Sequence, residues 1–307
     1  MPEKIPFRVE PMLATLVKRP FHRPGWVYEE KYDGYRILAY KEGTKVSLLS
    51  RNGNDRTRTY HQIAAAVAEL PHRSLLLDGE VVALDTRQVS RFQLLQEGKV
   101  SPLYAVFDCL YQDGHDLRAQ PLSLRRGVLE EVVRGGKLLF PSGRLGPNGL
   151  AAFRTAKAKG YEGMVAKDLA SPYVEARSRY WLKCKVHQED EFVIAGYTRP
   201  EGSRMHFGAL LLGAYEQGRL RYVGKVGTGF DRKKLASLFQ QFQPLIRRQP
   251  ALADPPREKG ATYLAPKLVA QIAYGELTAD RKLRQPVFLG LRDDKRAEEC
   301  LLPGETG

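Results

Sequence analysis

The stretch YEEKYDGYRILAY (residues 28–40) sets one lysine, Lys31, among Glu29, Glu30 and Asp33, with Arg36 five positions on. Lys31 stands at the mouth of an apolar strand, and the chain turns at Gly34. Alone, such a pentad of charges reads as a solvated ion ladder on a strand edge, and exposed pairs of that kind contribute little. The rest of the chain has to decide between that reading and a reactive lysine.

The chain has 307 residues, 43% hydrophobic and 27% charged, enough to bury a core and to form two domains. No apolar run approaches the ~20 residues of a membrane span. The N-terminal MPEKIPFRVEPML has no apolar core of a secretory signal. Cys109, Cys184 and Cys300 are odd in number and far apart, without zinc-ligand or disulfide spacing, so a reduced, intracellular protein is expected. The net charge is +14: residues 1–187 hold 30 Lys/Arg against 20 Asp/Glu, and residues 188–307 hold 19 against 15. An excess spread through both parts suits a surface that follows a polyanion, because neutralised phosphates release counterions. A merely basic soluble surface is the alternative.

Strand-like apolar runs occur at residues 46–50, 74–84, 103–111, 163–167, 191–197, 209–215, 220–226 and 286–291. Between them, Ile63, Val67 and Leu70 share a helical face, as do Leu124, Val128 and Val132. Leu235, Leu238, Phe239 and Phe242 form a third stripe, opened by Asp231 as N-cap. The first 187 residues thus mix strands and helices. After the polar run His187–Gln188–Glu189–Asp190 the chain becomes mostly short strands with one helix, the outline of a small barrel. The spacing predicts an α+β protein with an antiparallel core over 1–187 and a second domain over 188–307.

Polar residues inside apolar strands are costly unless paired. Asp78 and Glu80 interrupt LLLDGEVVAL, Asp108 follows Phe107, Glu162 opens EGMVAK, which ends in Lys167, and Lys183 and Lys185 alternate in WLKCK. Singly, each reads as a strand-end charge in solvent. Together they offer a lysine nucleophile, metal-competent carboxylates and a basic pair on one strand face. That set suits phosphoryl chemistry. A neutral lysine amine can attack an α-phosphate, Glu80 and Glu162 can hold Mg²⁺, and Lys183 and Lys185 can bind phosphate oxygens. Phe107 offers a face for a purine. No G-x-x-x-x-G-K-[ST] and no G-x-G-x-x-G is present, which disfavours a P-loop kinase or a dehydrogenase.

EKYDGYR resembles the K-x-D-G-x-R motif of covalent nucleotidyltransferases. Its companions follow in that family's order: SRNG (50–53), DGE (78–80), YAVFD (104–108), EGMVAK (162–167), WLKCK (181–185) and RDDK (292–295). Seven motifs in order across the chain resemble an ATP-dependent DNA ligase. FGALLLGAY, YVGKVGTGF and the RDDK ending are similar to the ligase module of bacterial ligase D.

The resemblance implies a nucleotidyltransferase (ATP-grasp-like) domain of antiparallel sheets, then an OB-fold barrel. It implies that Lys31 takes AMP from ATP as a phosphoramidate, with Asp33, Lys183 and Lys185 in the catalytic set. Glu29 would face the adenine amino group, with Glu30 beside it at the nucleotide. Phe107 would stack on the base, with Met164–Val165 on its other face. Arg36 and Arg51 would lie near the ribose and the nick phosphate. Glu80 would contact ribose or metal and Glu162 the metal, Mg²⁺ or alternatively Mn²⁺. Lys183 and Lys185 would hold the α-phosphate; Arg292 and Lys295, with Asp294, would serve from the second domain.

The function implied is sealing of nicks in double-stranded DNA through lysyl-AMP and DNA-adenylate, in repair or end joining. RNA ligases and capping guanylyltransferases share K-x-D-G, and a non-catalytic OB-fold binder is a different class. The chain shows neither a helical clamping domain nor polymerase or phosphoesterase modules, so a compact monomer is expected. It would act in a bacterial or archaeal cytoplasm at the nucleoid, without a membrane, beside a DNA end-binding partner.

Overall fold

A computed structural model describes residues 4–186, 188–200, 202 and 204–302. The chain divides into two compact units, Met1–His187 and Gln188–Gly307.

The first unit runs β1 (Leu13–Leu16), β2 (Trp26–Lys31), β3 (Tyr35–Glu42), β4 (Lys45–Ser50), α1 (His61–Ala68), β5 (Ser74–Val82) and α2 (Phe92–Glu97). It continues with β6 (Leu103–Gln112), β7 (His115–Asp116), α3 (Leu122–Val132), β8 (Leu139–Pro141), α4 (Gly149–Lys159), β9 (Gly163–Asp168) and β10 (Arg177–Lys185). Two sheets result. One has the order β1-β10-β9-β2; the other has β4-β3-β5-β6-β7, with β8 beside β6. All pairings are antiparallel except β1–β10 and β6–β8. β5 and β6 are covered on both faces, which is why they read as unbroken apolar runs.

One face of the second sheet (Ile37, Leu77, Val106) packs on Ile63 and Val67 of α1 and on Leu129 and Val132 of α3. Its other face (Leu38, Leu76, Phe107) meets Tyr173 and Trp181, the latter on β10 of the first sheet. The first sheet's far side (Tyr28, Met164, Leu182) is covered by Ala152 of α4. The two sheets therefore face each other with a helix layer outside each.

The chain crosses from the first sheet to the second through Tyr32, Asp33 and Gly34. A Cβ at Gly34 would stand 2.2 Å from the Val81 carbonyl oxygen, so only glycine fits this crossing. One helical face differs from its hydropathy. In α3 Leu124 is exposed, and the buried side is Leu122, Arg125, Arg126, Leu129 and Val132. The two arginines turn inward because carboxylates of β2 and β6 await them.

The second unit runs β11 (Glu189–Tyr197), β12 (Leu210–Glu216), β13 (Arg219–Val226), α5 (Arg232–Phe242), β14 (Ile246–Arg247), β15 (Thr262–Leu264), β16 (Val269–Ala273), β17 (Glu276–Leu277), β18 (Leu283–Arg284) and β19 (Val287–Leu291). Five strands pair in the order β13-β12-β11-β16-β19. A parallel bridge from Thr228, two residues past β13, to Val287 of β19 brings the two ends of that series together. Five strands in this order with one helix between the third and fourth are the partly open OB arrangement. α5 is capped by Asp231, whose Oδ1 accepts the Lys234 N–H at 2.7 Å, and its Leu235, Leu238 and Phe242 fill the barrel interior.

Candidate active site

Strand register brings the candidate residues of the first sheet into rows, since paired residues of antiparallel strands share a face. Lys31 pairs with Gly163, which pairs with Lys185. Glu29 pairs with Val165, then Lys183; Val27 pairs with Lys167, then Trp181. A Cβ at Gly163 would stand 2.3 Å from the Cys184 carbonyl oxygen, so glycine lets β9 and β10 approach closely between the two lysines of the first row. Lys31 is in ion-pair contact with Glu162, and the two side chains are 20% and 10% exposed.

The facing wall is equally ordered. Arg36 pairs with Glu80, and Leu38 with Asp78, so Arg36, Asp78 and Glu80 share the cleft side of the second sheet. Arg36 forks onto Asp78 with donor–acceptor distances of 2.5 and 2.6 Å, and the Tyr173 hydroxyl donates to the same carboxylate at 2.8 Å. The Arg36 guanidinium lies 4.5 Å from the Phe107 ring centre. Lys167 Nζ lies 4.4 Å from that ring and 4.2 Å from Trp181. Arg51 follows Ser50, the partner of Ile37, and so stands level with Arg36 at the edge of this sheet.

Beneath the rows lies a buried charge layer. Glu29 contacts Arg126 through Oε1 and Lys167, at 2.8 Å, through Oε2. Burial pushes the Lys167 ammonium below the usual lysine range, against the pull of Glu29. Asp108 and Arg125, both fully buried, form a fork with two bonds of 2.8 Å.

Three expectations for the first unit are corrected. Met164 is register partner to Glu30 and buried on the sheet's far side, so Val165 alone of that pair faces the cleft. Glu30 cannot meet the nucleotide beside Glu29, because strand alternation turns it to the opposite side of the sheet. There it neighbours Ser90 and Lys159, and burial raises its carboxyl to about 8. Asp33 is not a cleft residue. It is buried, its Oδ2 accepts the Phe92 N–H at the start of α2 (3.1 Å), and its own N–H donates to Ser90 Oγ (3.0 Å). It fastens the turn behind Lys31.

With this geometry, the chain matches the family profile "ATP dependent DNA ligase domain" over residues 11–185. It matches "ATP dependent DNA ligase C terminal region" over residues 203–295. The chain belongs to the ATP-dependent DNA ligases. Among its relatives is the multifunctional non-homologous end joining protein LigD of Pseudomonas aeruginosa, 41% identical over 96% of this chain and 36% of that protein. The LigD protein of Mycolicibacterium smegmatis is 37% identical over 95% of this chain and 39% of its own length. The chain thus spans little more than a third of these curated relatives. A solved structure described as mycobacterial DNA ligase D complexed with ATP and MES superposes with a TM-score of 0.72 at 34% identity, covering 96% of this chain and 98% of that one. The α+β fold is that of the ligases: a nucleotidyltransferase unit followed by an OB fold.

In the ligase's second unit, Arg292 is not the open phosphate-binding cation that the RDDK motif suggests. It is buried and forked onto Asp294 with two bonds of 2.8 Å, and it reaches Gln271 at 3.4 Å. Lys295 lies 3.6 Å from Glu191. Sequence reasoning gave no role to Arg126, or to Lys167 beyond its motif. Two adjacent arginines in an otherwise apolar helical segment were the available signal.

Proposed function

We propose that the chain is an ATP-dependent DNA ligase that seals 5′-phosphate/3′-hydroxyl nicks through a lysyl-AMP and a DNA-adenylate. The observation that carries this reading is the pair of adjacent rows, Lys31–Gly163–Lys185 and Glu29–Val165–Lys183, on one sheet face. A nucleophilic amine and two cations stand side by side over a span that suits one α-phosphate.

In the first step the neutral Lys31 Nζ attacks the α-phosphorus. The bond from that phosphorus to the bridging oxygen breaks, pyrophosphate leaves with the electron pair, and the nitrogen passes one proton to solvent to become a phosphoramidate. Glu162 holds Lys31 in place for that attack. Lys183 and Lys185 bind the α-phosphate oxygens and offset charge that grows on them. Glu29 and Phe107 receive the base, Val165 limits its other side, and Arg36 and Arg51 lie toward the ribose and the nick. Lys295 supplies a cation from the second unit to the departing pyrophosphate. AMP then passes to the DNA 5′-phosphate, and the 3′-hydroxyl displaces it.

Among the described residues no three His, Cys, Asp or Glu cluster as metal ligands. That fits Mg²⁺ or Mn²⁺ held by one or two carboxylates, Glu162 and Glu80, together with substrate phosphates. Such an ion would neutralise charge on the α-phosphate.

The names of the LigD relatives support a role in end-joining repair. A DNA end-binding partner, a monomeric state and a place in the cell interior complete the reading. No helix among the described residues is long and apolar enough to cross a membrane. The deciding experiment is sealing of a 5′-phosphorylated nick with ATP, GTP or no nucleotide. ATP-dependent sealing is expected; sealing only of RNA, or transfer only of GMP, would overturn the reading.

A further inference from the structure

Glu29 is 1% exposed, and each of its carboxylate oxygens is held by a different cation. Lys167 comes from β9, the neighbouring strand. Arg126 comes from α3, on the far side of the fold in sequence, and arrives with only 4% of its side chain exposed. Its guanidinium also donates to the Ser142 carbonyl at 3.1 Å and to Glu130 at 3.4 Å. It therefore binds β2, α3 and the segment after β8 into one unit. Its Nε is buried with no hydrogen-bond partner among the described residues.

This arrangement contributes little to stability that an apolar cluster would not, because desolvating three charges offsets much of their attraction. What it does provide is orientation. A carboxylate held by one ammonium can swing about that contact; one held from two directions cannot. Both cations are turned onto Glu29, so the group left to meet a base is an acceptor, each oxygen keeping an unused lone pair. A purine 6-amino group, a donor, matches it. A purine with hydrogen or a carbonyl oxygen at C6 does not.

We infer that Arg126 is a positioning residue: by holding the Glu29 carboxylate from a second direction it sharpens the discrimination that Glu29, which the ligase resemblance sets against the adenine amino group, exerts at C6 of the purine. This rests on the reading above in which Glu29 meets the base. Without Arg126, Glu29 is left with the single ammonium of Lys167 and no fixed direction.

The test crosses a protein change with a ligand change. Lysine adenylylation kinetics are measured for the wild type, Arg126→Gln and Arg126→Lys, using ATP, GTP and purine riboside triphosphate, which lacks only the 6-amino group. Hydrogen bonds to charged groups predict that the wild type prefers ATP over the deamino analogue about tenfold or more in kcat/KM. Arg126→Gln should narrow that ratio to within about threefold, chiefly through KM for ATP, and Arg126→Lys should fall between, since a point charge lacks the fork. If Arg126→Gln does not fold, as judged by circular dichroism and melting, the Arg126→Lys ratio decides. Undiminished discrimination in a folded variant would overturn the inference and leave Arg126 as a brace. A wild type that labels Lys31 but treats ATP and the deamino analogue alike would overturn the placement of Glu29 and this inference with it, while adenylyl transfer stands. A wild type that labels with neither would overturn the ligase reading itself.

Discussion

Lys31 and Glu162 are in ion-pair contact because Lys31 is register partner to Gly163, the residue that follows Glu162. The nucleophile ends β2 and its carboxylate immediately precedes β9, so the pairing of those two strands sets their approach. Lys31→Ala should abolish acid-labile adenylylated protein. Its melting temperature should fall, since Glu162, 10% exposed, loses its ion-pair partner. Mass spectrometry of the protein after incubation with ATP reads the first outcome; AMP still attached would defeat the assignment.

Asp33→Ala removes the acceptor of the buried Phe92 N–H. An unsatisfied buried donor costs about 1–3 kcal/mol, so urea denaturation should show a loss of that order. Adenylylation should slow as well, because the turn behind Lys31 loosens. An unchanged urea midpoint would mean that another group caps α2.

Glu30 makes stability depend on pH. Its carboxyl stands at about 8 in the folded protein, against an ordinary value of 4.5. Between those values the folded state keeps a proton that the unfolded chain has released. Stability therefore falls as pH climbs through this window and levels off above it. Glu30→Gln cannot ionise, so it should match the wild type near pH 4 and be more stable near pH 9, by on the order of a few kcal/mol. Parallel melting curves at both ends would show that Glu30 ionises normally.

Asp294→Ala leaves the buried Arg292 guanidinium without its fork, a loss of about 3–5 kcal/mol for a broken buried pair. Replacing both residues, as Arg292→Met with Asp294→Leu, should recover much of it. Lys295→Ala should behave differently: near-normal melting, slow adenylylation, and near-normal joining of a nick that already carries 5′-AMP. Equal losses in both half-reactions would remove Lys295 from the pyrophosphate role.

Binding to nicked duplex should weaken steeply with salt, given the +14 charge. The slope of log affinity on log salt is about −0.9 per phosphate neutralised. A flat response across a salt series would make the basic excess merely solubilising.

Much of this was legible in the sequence because apolar runs and strand parity are local signals. The runs at 46–50, 103–111 and 163–167 lie on strands, the run at 74–84 outlasts its strand by two residues, and Asp231 caps the helix its position suggested. Lys183 and Lys185 share a face because alternate strand residues must. The same parity separates Glu29 from Glu30, and grouping them by charge instead of by position led to the wrong side of the sheet for Glu30. Arg125 and Arg126 were invisible for a different reason. Hydropathy periodicity counts arginine as outward, while the carboxylates that draw these two inward, Asp108 and Glu29, lie 17 and 97 residues away. Arg292 failed likewise, since a motif names a residue type but not the carboxylate two positions on that already holds it.

The Gly34 crossing has a mechanical consequence. Three residues, 32–34, are all that separate the strand bearing Lys31 from the strand bearing Arg36, and those strands are opposite walls of the cleft. Walls joined so closely at one corner are tied there by the chain itself, and farther out by side chains, Trp181 against Phe107 and the Tyr173 hydroxyl on Asp78. The reactive lysine therefore stands at the corner where covalent connectivity leaves the two walls least room to separate.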